Sequence, residues 1–250
     1  MLNKNRQWLE RITLLIVLLG TWEYAIFAGW ADAFFFPKPT DIMKKITEWI
    51  RGGDIWADAA ITLTETVLGY LIGTLVGIAS GVYLALHPRM YGLLDPFIKA
   101  LNSIPRVVLA PIFILWFGLG IPSKVALAIT LVFFVTFFNA LQGVREVDVV
   151  VLNNARILGA SRSNLLRHVY FPAAASWIIS SLRTSVGFAV VGAVIGEYLG
   201  SSSGLGHLIA QSQGIFDSTG VFAGIAILSA FVLMLDVVLD RVEKHLSRWR

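Results

Sequence analysis

The chain has no cysteine among its 250 residues, which excludes a disulfide framework, a thiolate metal site and a cysteine nucleophile. Its four histidines are scattered and do not form a metal-ligating pattern. Charge is scarce as well: Asp, Glu, Lys and Arg make up 14% of the residues against 56% hydrophobic ones, far from the balance of soluble domains. No G-x-x-x-x-G-K-[ST] segment occurs, so this chain lacks a P-loop nucleotide site. A net charge of +4 could suggest nucleic acid, but the basic residues sit at the edges of apolar runs and form no single basic face.

Long apolar runs are what the chain has instead. Six reach membrane-spanning length, at about 12–29, 60–86, 100–119, 124–143, 173–197 and 218–239. In lipid each must be helical to satisfy its own backbone, so the reading is an all-α membrane protein with about six transmembrane helices. Lys4, Arg6 and Arg11 ahead of Ile12 have the outline of a signal peptide. The apolar run nevertheless continues past Glu23 to about Gly29, roughly 27 Å of helix at about 1.5 Å per residue, which predicts an uncleaved span. Between the first two runs, Ile42, Met43, Ile46, Trp49 and Ile50 fall at helical spacing among Asp41, Lys44, Lys45 and Glu48, the pattern of an interfacial helix. The chain therefore divides into a first span with its interfacial helix (1–59), a membrane core (60–240) and a basic tail (241–250).

Thirteen of the 20 Lys and Arg lie in the N-terminal arm, the 87–99 link, the 144–168 segment and the C-terminal tail. By the positive-inside rule those segments, and hence both termini, are cytoplasmic, and Lys38, Lys44, Lys45, Arg51 and Lys124 fall in the opposite, outer loops. Gly69, Gly73, Gly77 and Gly81 repeat every four residues along one face of the second span, and Gly192, Gly196 and Gly200 repeat the spacing later; such faces let another helix approach closely. Charges within spans are candidates for function. Arg183 and Glu197, with Trp116, are the candidates for a translocation path, Glu65 is expected at the interface, and Arg106 is expected to be an interfacial anchor. Gly200-Ser201-Ser202-Ser203-Gly204 fits G-x-S-x-G with His207 close by, but a nucleophile elbow requires a preceding strand, and here an apolar helix precedes it. The expectation is a polar turn and no catalytic residue.

The stretch from Val144 to Pro172 is too polar for the bilayer and reads as two short cytoplasmic helices. Asp148 can cap the first, whose Val151, Ala155 and Leu158 share a face; Gly159 supplies the break, Ser161 or Ser163 can cap the second, and Pro172 opens the fifth span. The spacing of Ala155, Gly159 and Val169-Tyr170-Phe171-Pro172 resembles the permease signature of ABC importers, E-A-A, three residues, G, nine residues, I-x-L-P, with Asn153 and Asn154 standing where that pattern has Glu and Ala. Ser103-Ile104-Pro105-Arg106, the run from Leu109 to Gly118, Leu158-Gly159-Ala160-Ser161 and Ser203-Gly204-Leu205-Gly206 are similar to the nitrate, sulfonate and taurine branch.

The resemblance implies the type I importer permease fold and a coupling helix docking on the ATPase, carried here by Asn153, Asn154, Ala155, Leu158, Gly159, Ala160, Ser161, Arg162 and Pro172. It also implies a second permease copy, two ATPase subunits that hold ATP and Mg, a periplasmic or lipid-anchored binding protein, a bacterial inner-membrane location and a small anionic cargo. The chain itself would bind no cofactor and catalyse nothing. Related members handle aromatic acids and thiamine-precursor pyrimidines, which keeps such cargo open. A stand-alone secondary transporter or channel would share the apolar spans, but it usually shows paired broken helices in two halves, and no internal repeat is evident here.

Overall fold

A computed structural model describes residues 4–246 and contains helices joined by short turns, with no strand among the described residues. In order these are α1 (Lys4–Phe27), α2 (Pro39–Gly52), α3 (Asp54–Leu86), α4 (Pro88–Ser103), a 3-10 turn (Arg106–Leu109), α5 (Ala110–Phe117), α6 (Ile121–Arg145), α7 (Val149–Ile157), α8 (Arg162–Leu165), a π turn (Leu166–Tyr170), α9 (Phe171–Leu199), α10 (Leu205–Gly214) and α11 (Ser218–Leu246). The last four residues of the expected basic tail lie outside the described residues, as does the Arg162 side chain.

Helix α6 is the centre. Gly69, Gly73, Gly77 and Gly81 of α3 stand against Ala128, Val132, Thr136 and Ala140 of α6, a parallel seam in which both chains advance four residues per step. A Cβ on Gly73 would lie 2.8 Å from the Val132 Cβ, and one on Gly77 2.7 Å from the Phe133 carbonyl oxygen. Antiparallel α9 meets the other side of α6: a Cβ on Gly192 would sit 2.5 Å from the Ala128 Cα, and one on Gly196 2.8 Å from the Lys124 Cγ. Ala128, fully buried, is thus held between two glycines. Without a hydrophobic force between helices in lipid, close backbone approach of this kind supplies the packing. Gly200, the third member of the second series, packs instead on Ile114 of α5.

Four helical stretches are long and apolar enough to cross a membrane, namely 55–86, 121–145, 163–199 and 218–238, and a bent pair can supply a fifth. The expected single span at 100–119 is that pair: α4 and the following turn with α5 meet at 87°. Pro105 is the physical reason, since it lacks a donor and biases Ile104 away from the helical region. The first expected span, at 12–29, is not among those stretches: α1 ends at Phe27, and its exposed Leu14–Leu19 stretch is bracketed by Glu10, Arg11 and Glu23. The expected fifth span begins earlier than Pro172, because helix continues back to Ser163. There the π turn, closed by the Phe171 amide donating to the Leu166 carbonyl, accommodates the proline inside a continuous rod.

Because the glycine seam leaves no room for a side chain, Gly77→Leu should lower stability by about 1–3 kcal/mol, as overpacking does. Gly20→Leu, where a Cβ meets nothing within 4 Å, should leave it unchanged. Thermal unfolding of the two purified variants in mild detergent measures the contrast.

Candidate functional site

Two ends of the rod formed by α8, the π turn and α9 carry the candidate chemistry. At the first, Asp148 caps α7 by accepting from the Val150 amide at 2.7 Å. Gly159 then turns the chain at φ +81°, a left-handed conformation that favours glycine, and Ser161 Oγ accepts from the Asn164 amide at 3.3 Å to start α8. This short hairpin projects Ile157 and Leu158 outward at 83% and 87% exposure, with Val149, Val150 and Val151 exposed behind them. Asn153, Asn154 and Ser161 are exposed on the same segment, while Ala155 and Ala160 are half-buried. An apolar ridge on an otherwise polar hairpin is the mark of a surface awaiting a partner.

The other end is a buried polar cluster that joins three helices. Glu197, near the end of α9, is completely buried. Its Oε1 accepts from the Thr62 hydroxyl of α3 at 2.6 Å, and its Oε2 accepts from the Gly206 amide at the start of α10 at 2.7 Å. Thr62 Oγ1 in turn accepts from the Leu205 amide at 3.0 Å, and Asp58 Oδ1 accepts from the Gly204 amide at 2.6 Å. Three successive amides at the N-terminus of α10 are therefore capped by side chains of other helices, in the place where helix ends most need acceptors and favour negative charge. The Ser-Gly-Leu-Gly motif follows from this contact. Gly204 has φ +105°, and a Cβ on Gly206 would lie 2.6 Å from the Val194 carbonyl oxygen and 2.9 Å from the Glu197 Cβ.

Sequence reasoning missed part of this cluster. Glu65, expected at the interface, is 1% exposed, and its Oε2 has no hydrogen-bond partner. Lys124, expected in an outer loop, is fully buried and donates to the Leu119 and Gly120 carbonyls at the α5–α6 turn. The spacing of Asp58, Thr62 and Glu65, which falls on one face of a helix, was the signal available for α3. Arg106, expected to be an interfacial anchor, caps the broken end of α4: Nη1 donates to the Leu101, Asn102 and Ile104 carbonyls, Nη2 donates to Asn102 Oδ1 at 2.7 Å, and the guanidinium lies 4.6 Å from the Phe134 ring centroid.

Between the two ends, α9 exposes Ser176, Ser180, Arg183 and Thr184 on one face. Trp116 is 68% exposed on α5, in ring contact with Phe113 and Phe117. Ser201 and Ser203 of the G-x-S-x-G stretch hydrogen-bond to each other within a turn, the Ser201 hydroxyl donating to the Ser203 carbonyl at 2.8 Å.

Comparison with known proteins places these features in context. The family described as binding-protein-dependent transport system inner membrane component matches residues 59–248. The taurine transport system permease protein TauC of Escherichia coli is 31% identical, over 98% of this chain and 91% of that protein. The riboflavin transport system permease protein RibX of Chloroflexus aurantiacus is 32% identical, over 94% and 88%, and the formylaminopyrimidine transport permease protein ThiX of Halalkalibacterium halodurans 29%, over 100% and 99%. A chain of the MetNI methionine ABC transporter in an inward-facing conformation shares the fold at a TM-score of 0.66 and 19% identity, covering 80% of this chain and 97% of that one.

Substituting Gly206→Ala should cost about 1–3 kcal/mol through the clash with the Val194 carbonyl and Glu197, whereas Gly214→Ala at the open end of α10, where a Cβ meets nothing within 4 Å, should be neutral. Detergent thermal melts of both variants provide the check.

Proposed function

Because the chain belongs to the binding-protein-dependent transport system inner membrane component family and is the permease subunit of an ABC importer, we propose that it works as one of two copies enclosing a translocation path. One ATPase subunit docks on the cytoplasmic hairpin of each copy, and a binding protein delivers cargo from the opposite side. The end bearing α7 and α8 faces the cytoplasm, as do both termini, in line with the basic residues gathered there. ATP and Mg reside on the ATPase subunits. The observation that carries this reading is the exposed Ile157–Leu158 ridge, an apolar knob held by a capped helix and a glycine turn at the foot of a rigid span.

Asn153, Asn154, Ala155, Leu158, Gly159, Ala160, Ser161, Arg162 and Pro172 form the docking segment. ATP-driven closure of the ATPase dimer draws the two hairpins together, and transport follows only because the ATPase states contact the permease differently. The path is lined by the polar face of α9, from Ser176 to Thr184. Polar and charged side chains on the open face of a span fit a wet cavity between two copies better than lipid. Trp116 flanks this path, and Glu197 lies behind it in the buried polar cluster.

Arg183 and the similarity to TauC favour a small organic sulfonate, taurine-like in charge. The similarity to RibX and ThiX supports a heterocyclic cargo as the second reading.

Affinity purification from native membranes in mild detergent should recover a P-loop ATPase with this chain. Leu158→Glu, on a wholly exposed side chain, should abolish that recovery without lowering the amount of permease; an ATPase that stays bound to the variant would contradict the docking assignment. In vesicles holding the complete complex, Arg183→Met should reduce taurine uptake at least tenfold while ATP hydrolysis persists. Unchanged uptake would remove Arg183 from the path.

A further inference from the structure

Glu197 joins two helices whose covalent connection is soft. Between α9 and α10 the chain runs Gly200-Ser201-Ser202-Ser203-Gly204, with Gly204 at φ +105°, and such a loop transmits little force. The helix from Ser163 to Leu199 is continuous from the docking hairpin to the residues around Glu197, so Ser163 and Glu197 are separated by about 50 Å of rigid rod at about 1.5 Å per residue. At its far end the rod is fastened to α10 through the Gly206 amide and to α3 through Thr62, whose hydroxyl also holds the Leu205 amide. The carboxylate thus bypasses the soft loop.

We propose that Glu197 is a positioning residue for coupling: with Thr62 it fastens α10 and the start of α3 to the end of α9, so that displacement of the docking hairpin moves the far end of the permease as one body. This rests on the permease reading above. Three features carry it. Glu197 is completely buried and uses both oxygens on other helices. Gly204 and Gly206 leave room for it and for no side chain of their own. Asp58 adds to the cap of α10 from α3, accepting from the Gly204 amide, so three successive amides of that terminus are held by side chains of α3 and α9 and not by the loop.

The absence of cysteine makes the test direct, because Ala173→Cys at the hairpin end of α9 and Gln211→Cys on α10, both exposed positions, each give one nitroxide label per copy. Distances between copies are measured in the assembled complex, without nucleotide and with a non-hydrolysable ATP analogue. With Glu197 intact, both labels should change distance on nucleotide binding. In Glu197→Gln, which replaces an acceptor with an amide donor facing donors, the Ala173→Cys change should persist while the Gln211→Cys change falls by at least half. Thr62→Val should do the same, and Thr62→Ser, which keeps the hydroxyl, should restore it. Undiminished movement of both labels in Glu197→Gln and Thr62→Val overturns the clamp. Loss of movement at both ends in those variants also overturns it, since the clamp then supports the fold as a whole. No nucleotide-dependent change at either label with Glu197 intact would instead refute the ATP-driven reading itself.

Discussion

At membrane depth no backbone N–H or C=O can be left open, and several departures from continuous helix among the described residues are closed by side chains or by a local change of helix type. The break between α4 and α5 exposes carbonyls that Arg106 collects. Lys124 serves the Leu119 and Gly120 carbonyls between α5 and α6. The amides that open α10 are taken by Asp58, Thr62 and Glu197. Pro172, which removes a donor inside the longest rod, is absorbed by a π turn. Charges that look anomalous within apolar runs are in these cases the acceptors and donors that let the runs be interrupted.

This constraint also gives the protein its mechanical character. A central helix, α6, is gripped between glycine faces of α3 and α9, and interfaces that tight shift as bodies and do not deform continuously. The hairpin proposed above as the docking site shares its second helix, α8, with the rod that ends near Glu197. Ile157 and Leu158 stand across the Gly159 turn from that stiff element. The bent α4–α5 pair, tied to α6 by the Arg106–Phe134 contact and by Arg145 lying 3.8 Å from the Tyr91 ring centroid, hangs from that core on different terms: side-chain contacts hold it, without a glycine seam.

Much of this was legible in the sequence, and what was not has definite causes. Hydropathy marked the spans, the four-residue glycine spacing marked the face that α6 occupies, and Asp148, Gly159 and Ser161 marked the hairpin, because all three signals are local. The 87° bend was not legible as a bend: Pro105 suggested a boundary, but the apolar run continued across it and read as one span. Helix α10 was hidden for a related reason, since two of its three capping contacts come from residues more than 140 positions away and a Ser-Gly-rich stretch reads locally as a turn. Position along the runs puts Glu65 at an interface and Lys124 in an outer loop; burial depends on neighbours that sequence spacing does not show. Arg183 and Trp116 could be named from the sequence, but the polar face that accompanies Arg183 on α9 emerges only once the buried side of that helix is known.

Transport driven by ATP on a partner is the central claim, and uptake into sealed vesicles carrying the purified complex and its binding protein tests it most directly. Taurine, with a heterocyclic compound as the alternative cargo, should accumulate only when ATP is supplied on the side bearing the docking hairpin, and collapsing ion gradients should leave uptake intact. Accumulation without ATP, following an ion gradient and abolished with it, would contradict the importer assignment and make the chain a secondary transporter.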